Sequence, residues 1–246
     1  MLLLMNVDPY LAQIDSSWLP LITKALGAID SDYLNQLFES RDWLPGPEKM
    51  FNAFSIPLTK TQFILFGESP YPRAASANGY AFWDAAVHEI WSDQGLTKTV
   101  NRATSLRNFI KMLLVAEGLL TPKTVGQANI LALDKSHLIS TIDELFNQLL
   151  KNDFCLLNAS LVLRKQQLNQ DAKAWLPFIS VLLQQLQNLN VKVTLILFGN
   201  IARTLCNLPS ARYFHQVIAE HPYNLSFISN PVVLEFFQPF HLLLKD

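Results

Sequence analysis

Four polar stretches, each following a run of apolar residues, hold the side chains best suited to chemistry. They are Gly67-Glu68-Ser69-Pro70-Tyr71, Asn158-Ala159-Ser160, Gly199-Asn200, and Glu220-His221-Pro222-Tyr223-Asn224-Leu225-Ser226. Together they supply a carboxylate (Glu68), hydroxyls (Ser69, Tyr71), an amide (Asn158) and an imidazole (His221). Such groups exchange protons or read a ligand through hydrogen bonds. Taken singly, each also has an ordinary role. Asn158 suits a turn, and a lone His221 fits many structural settings. The joint pattern is what points to a site.

The elements that must position these groups follow from hydrophobic patterning. Phe63 to Phe66 are four consecutive apolar residues, as in a strand covered on both faces of a parallel sheet. Gly67 lets the chain bend, and Pro70 stops further pairing. Residues 154–158, 191–198 and 214–219 read as three more strands. Helices are expected over 16–26, 30–40, 105–117, 140–151, 172–188, 201–205 and 232–244, with Pro177 near the start of the fifth and a kink at Pro239 in the last. Residues 88–102 carry no strong period and read as a surface loop. Gly79-Tyr80-Ala81-Phe82-Trp83 is an aromatic cluster, either core or a stacking platform. Strands alternating with helices predict an α/β fold. It would have three layers, α/β/α, around a mainly parallel four-stranded sheet. In such sheets ligands sit outside the carboxyl ends of the strands, where all four polar stretches fall.

Composition narrows the function classes. The 246 residues are long enough for a sizeable core and are read as one domain, 1–246. Half are apolar and 16% charged, so the chain is globular rather than disordered. With 19 basic and 20 acidic residues the net charge is -1, so nucleic-acid contact would need a local patch. Arg73, Arg164, Lys165, Arg203 and Arg212 lie near the motifs and are candidates for it. Cys155 and Cys206 have no metal-ligand spacing, so a disulfide framework, a metal and a cofactor are not expected, and a reducing cytoplasm fits. Met1 to Met5 lacks a basic leader and does not read as a signal peptide. No apolar run approaches the roughly 20 residues of a membrane span.

In order along the chain, the motifs resemble uracil-DNA glycosylase of the family-1 type. Phe51-Asn52-Ala53-Phe54 looks like the segment before its first strand. Gly67 to Pro72 occupies the place of its water-activating Gly-Gln-Asp-Pro-Tyr-His. Gly79-Tyr80-Ala81-Phe82 is similar to Gly-Leu-Ala-Phe, and Ser105-Leu106 with Asn108 to the start of the next helix. Leu156-Leu157-Asn158-Ala159 looks like the uracil-reading strand, Phe198-Gly199-Asn200 with Ala202 like Trp-Gly-Ser with a following Ala, and residues 221–226 like His-Pro-Ser-Pro-Leu-Ser. The resemblance implies hydrolysis of the bond between uracil and deoxyribose after the nucleotide is flipped out. It implies that Phe82 stacks on the base, Asn158 reads its N3–H and O4, and Tyr71 fills the space beside C5. It implies that His221 donates to O2 as the bond breaks. Leu225 would wedge into the duplex, with Gly199, Asn200, Tyr223, Asn224 and Ser226 near the backbone. The partner implied is uracil-containing DNA, single- or double-stranded, bound by a monomer.

The departures lie in the water-activating motif. The family's catalytic Asp is Ser69 here, and its neighbouring His is Pro72. A serine is uncharged at neutral pH and takes a proton poorly. Tyr223-Asn224 replaces Ser-Pro, and residues 85–104 replace a proline-rich loop. Gly67-Glu68-Ser69-Pro70 also looks like the Gly-Glu-Ala-Pro turn of the superfamily's family 4. The catalytic candidates are therefore Glu68, Ser69 and His221, in a glycosylase of reduced or altered activity. The alternative is an inactive homologue that binds uracil-containing or abasic DNA, or a protein partner through the same face.

Overall fold

The structure, a computed structural model, describes residues 11, 14–40 and 42–245. The expectation for Met1 to Met5 lies outside them. The six strands are, in chain order, β1 (Phe63–Gly67), β2 (Trp91–Ser92), β3 (Gly95–Leu96), β4 (Phe154–Asn158), β5 (Thr194–Phe198) and β6 (His215–Ala219). Four of them form a wholly parallel sheet in the order β4-β1-β5-β6. The register sets Gly67 beside Asn158 and Phe198 beside Ala219, so the four polar stretches leave from one rim.

Alternation along the strands builds two cores. Ile64, Phe66, Cys155, Leu157, Leu195 and Leu197 face one side, where α1 (Leu19–Leu26) and α2 (Ser31–Ser40) pack. Leu65, Phe154, Leu156, Ile196, Phe198 and Val217 face the other. That side is closed by α3 (Lys98–Arg102), α4 (Thr104–Ala116), α5 (Gln127–Ala132) and α6 (Ile142–Lys151). α7 (Leu168–Asn188) lies against α1 on the first side. α8 (Asn200–Leu205) leaves directly from β5, and α9 (Pro231–Phe237) covers β6 and α4. The result is the expected three-layer α/β/α arrangement. Among the described residues, no helix is long and apolar enough to cross a membrane.

Three local features differ from the sequence expectations. Residues 88–102 are not a plain loop: β2 and β3 pair antiparallel and lead into α3. Trp91 anchors this ribbon by donating from Nε1 to the Ile139 carbonyl at 2.7 Å, and Leu96 and Val100 are buried beneath it. α7 begins at Leu168 and runs through Pro177, because Asp171 is buried and holds its first turn in place. The last helix stops at Phe237 instead of bending at Pro239, and a 3-10 turn, Gln238–Phe240, follows. His241 then takes a left-handed φ of 47°, which no helix can continue.

One buried ion pair ties the first core together. Asp171 accepts from the Arg164 backbone N–H at 2.7 Å, from Arg164 Nε at 2.8 Å and from Tyr33 Oη at 2.9 Å. It thereby links the segment after β4 to α7 and α2. Removing one member of a buried pair leaves the other charge uncompensated, at about 3–5 kcal/mol. Asp171→Ala should lower the unfolding free energy by that order in urea denaturation followed by circular dichroism. A loss under about 1 kcal/mol would show that the pair does not brace the fold.

Candidate active site

A cavity of about 220 Å³ opens at the rim where β1 and β4 end. Its wall brings together Glu68, Ser69, Tyr71, Phe82, Ser105, Asn158 and His221. Six of these are residues that the sequence singled out for catalysis or base recognition.

Asn158 is the last residue of β4 and is 3% exposed. It lies against Gly67, where a Cβ would overlap Asn158 Oδ1 and come 2.8 Å from Ala81 Cβ. Only glycine allows this approach of β1 to the amide. The turn beyond is tied down by main-chain bonds, Ala159 N–H to the Gly67 carbonyl at 2.9 Å and Ser160 N–H to the Glu68 carbonyl at 3.0 Å.

Phe82 is partly exposed, so it is not plain core. Its φ is 63°, the left-handed region that non-glycine residues rarely enter, at a cost of about 1–3 kcal/mol. Neighbouring bonds hold it there. Tyr71 Oη donates to the Phe82 carbonyl at 3.0 Å, and Ala81 N–H donates to the Leu156 carbonyl at 3.0 Å. The ring stands edge-on to Phe198 with centroids 6.2 Å apart, and 6.3 Å from the His221 ring. Burial, with the nearby Asp84 carboxylate, raises the Tyr71 phenol well above its ordinary range, so Tyr71 stays a neutral donor.

His221 is half-buried. Its Nδ1 accepts the Tyr223 backbone N–H at 3.1 Å, so the neutral ring carries its proton on Nε2. Burial lowers its pKa from the ordinary value, and the Glu68 carboxylate partly opposes that shift. Gly199 makes room for the ring: it has φ 64°, and a Cβ there would lie 2.6 Å from His221 Cβ.

The sequence reading missed one organiser. Asn108 is fully buried on α4 and donates from Nδ2 to the Pro222 carbonyl at 2.7 Å and the Tyr223 carbonyl at 3.3 Å. It clamps the segment that carries His221. The available signal was an amide flanked by Leu106, Phe109 and Ile110 on an apolar face, where a buried polar group demands partners.

A second cavity of about 620 Å³ adjoins the first and shares Gly67, Glu68, Phe82 and His221 with it. Gly199, Asn200, Tyr223 and Asn224 line it, as do Arg203 and Glu220. Leu225 stands on the rim, 71% exposed, next to exposed Ser226. Glu68 is exposed, and among the described residues no donor meets its carboxylate. Four of the five basic candidates fall in different settings. Arg164 is committed to Asp171, Arg73 pairs with buried Asp84 at 3.1 Å, and Arg212 lies before β6, at the far end of the strands. Of the five candidates, Arg203 alone lines a cavity at this rim. No cluster of three His, Cys, Asp or Glu residues suited to a metal occurs among the described residues.

No family model matches the chain. The solved structure of wild-type UNG from Nitratifractor salsuginis is 42% identical, covers 99% of this chain and 96% of its own, and superposes with a TM-score of 0.90. A point mutant of that protein gives 41% identity, coverage of 99% and 100%, and a TM-score of 0.93. The chain belongs to the uracil-DNA glycosylase superfamily. A curated relative, the uracil-DNA glycosylase of Streptococcus mutans, is 26% identical over 217 residues, which are 86% of this chain and 85% of that protein. A mimivirus uracil-DNA glycosylase at 16% identity and TM-score 0.57 shares the fold. Superfamily membership accounts for the sheet and for the gathering of the four strand ends. The lone carboxylate of the water-activating turn remains Glu68, one place before the serine that stands where the family-1 motif has its acid.

The state of His221 is directly measurable. Nitrogen-15 NMR should show a ring protonated on Nε2 that titrates below the ordinary histidine value of about 6.5. Glu68→Gln removes the charge that opposes the shift, so it should push the titration lower still. A midpoint at or above 6.5, or an Nδ1–H tautomer, would contradict this geometry.

Proposed function

We propose that this protein hydrolyses the N-glycosidic bond joining uracil to deoxyribose in DNA, acting on a nucleotide flipped out of the stack. One observation carries the reading: a single cavity collects Tyr71, Phe82, Asn158 and a neutral His221 whose free proton is on Nε2. In that cavity Phe82 covers the face of the base. The Asn158 amide accepts from N3–H through Oδ1 and donates to O4 through Nδ2, which cytosine cannot match. Tyr71, locked by its bond to the Phe82 carbonyl, occupies the space beside C5 and excludes a methyl group. As the bond breaks, electrons move onto the base, and His221 donates to the developing negative charge on O2. A neutral donor with a depressed pKa holds that charge without protonating the ring system outright.

Water then adds at the sugar carbon, and its proton must be taken up. Ser69 cannot do this well, so the role falls to the Glu68 carboxylate, with Ser69 holding the water. This assignment implies activity below that of an enzyme with the family-1 Asp in the place of Ser69. The same reading takes residues 1–246 as one domain acting as a monomer. The free thiols Cys155 and Cys206 suit a cytoplasmic setting. The relatives named uracil-DNA glycosylase support the substrate and reaction class.

A uracil-containing single-stranded oligonucleotide, incubated with purified protein and then cleaved with alkali at abasic sites, tests the proposal. Wild type should yield abasic product. Glu68→Gln should slow it by about 10²–10⁴-fold, the usual loss for a general base. Ser69→Asp should raise the rate. If wild type binds the oligonucleotide and gives no product above a blank, while Ser69→Asp cleaves, the protein is a binder of damaged DNA instead.

A further inference from the structure

Tyr223 is a large aromatic side chain with no structural use for its ring. It is 67% exposed. Among the described residues nothing hydrogen-bonds its hydroxyl, and no aromatic ring packs against it. Its main chain, by contrast, is held from both sides. The N–H donates to His221 Nδ1 at 3.1 Å, and the carbonyl accepts from buried Asn108 at 3.3 Å. The ring is thus presented from a fixed backbone, which limits the entropy lost when something stacks on it. It lines the larger cavity, which is continuous with the base cavity through Phe82 and His221.

We propose that Tyr223 is a stacking platform for the nucleobase next to the flipped uracil, a contact that a single strand engages more fully than a duplex. The proposal rests on the glycosylase reading above and names the residue that takes the neighbouring base. A nucleotide whose base fills the smaller cavity places its chain neighbour over the larger one. In a single strand that neighbour has an open face to offer. In a duplex it is already paired and stacked. The charges lining the larger cavity agree with this. Glu68 and Glu220 flank it and Arg203 is its one cation, so a second phosphate backbone gains little there. Glu220 is kept anionic, because hydrogen bonds from Ser226 and Asn230 outweigh the effect of its burial.

The test is a mutant cycle between protein and DNA, using single-stranded uracil oligonucleotides whose flanking bases are either present or replaced by abasic spacers. Tyr223→Ala should raise KM about tenfold or more when the flanking bases are present, in line with base–aromatic stacking. Tyr223→Phe should stay within about twofold, and Tyr223→Leu should behave like Tyr223→Ala. The rise should vanish with the spacers and be smaller on duplex. Equal losses for Tyr223→Phe and Tyr223→Ala would overturn the proposal, as would a loss that persists without flanking bases or one as large on duplex. A lower KM for Tyr223→Ala would also overturn it, since the ring would then be blocking the cavity. A wild-type protein that neither binds nor cleaves any uracil oligonucleotide would defeat the glycosylase reading itself, and this inference with it.

Discussion

No side chain fits between the ends of β1 and β4. The Asn158 amide packs onto the bare α-carbon of Gly67, and Ala81 closes the space from the other side. This contact fixes how far the two strands can slide or splay at the rim. Everything in the base cavity is referenced to it. Asn158 ends one strand, the Glu68–Tyr71 turn leaves the other, and the Ala81–Phe82 segment is bonded to the Leu156 carbonyl one step inside. Asn158 is only 3% exposed, yet it lines the cavity, so its amide is held at the wall with hydrogen-bonding capacity to spare.

Two further devices hold the site against its own strain. The left-handed backbone at Phe82 is kept by the phenol of Tyr71, so one wall residue of the smaller cavity sets the ring of another. The His221 segment is kept by Asn108, a residue of α4, which packs in the same core as Phe198 and Phe227. In both cases a side-chain hydrogen bond to a main-chain carbonyl fixes the backbone that presents a cavity residue. The tautomer of His221 follows from the same loop geometry, since the Tyr223 N–H occupies Nδ1.

The sheet was legible because buried parallel strands are continuous apolar runs ended by turn residues, as Phe63 to Gly67 shows. The gathering of Glu68, Ser69, Tyr71, Phe82, Asn158 and His221 around one cavity was legible because each strand end carried its own polar signature and the family resemblance ordered them. Other features were hidden for definite reasons. β2 and β3 are two residues each, too short for any period to register. The sign of φ at Phe82 leaves no trace in its side chain. Asn108 was named only as part of a motif, and its clamp was hidden because its partners lie more than a hundred positions away. Closeness in sequence also says nothing about commitment. Arg164 is close in sequence to Asn158, yet its guanidinium is spent on Asp171.

The sparseness of cations at the rim bears on how the protein finds its target. Each phosphate neutralised by a bound cation releases counterions, and the slope of log affinity against log salt on single strands is about -0.7 per contact. A cavity lined by one arginine and two carboxylates therefore releases few ions on binding. If DNA is the ligand, as proposed, this cavity would add little non-specific attraction along the polymer, and its contacts would weaken little as ionic strength rises.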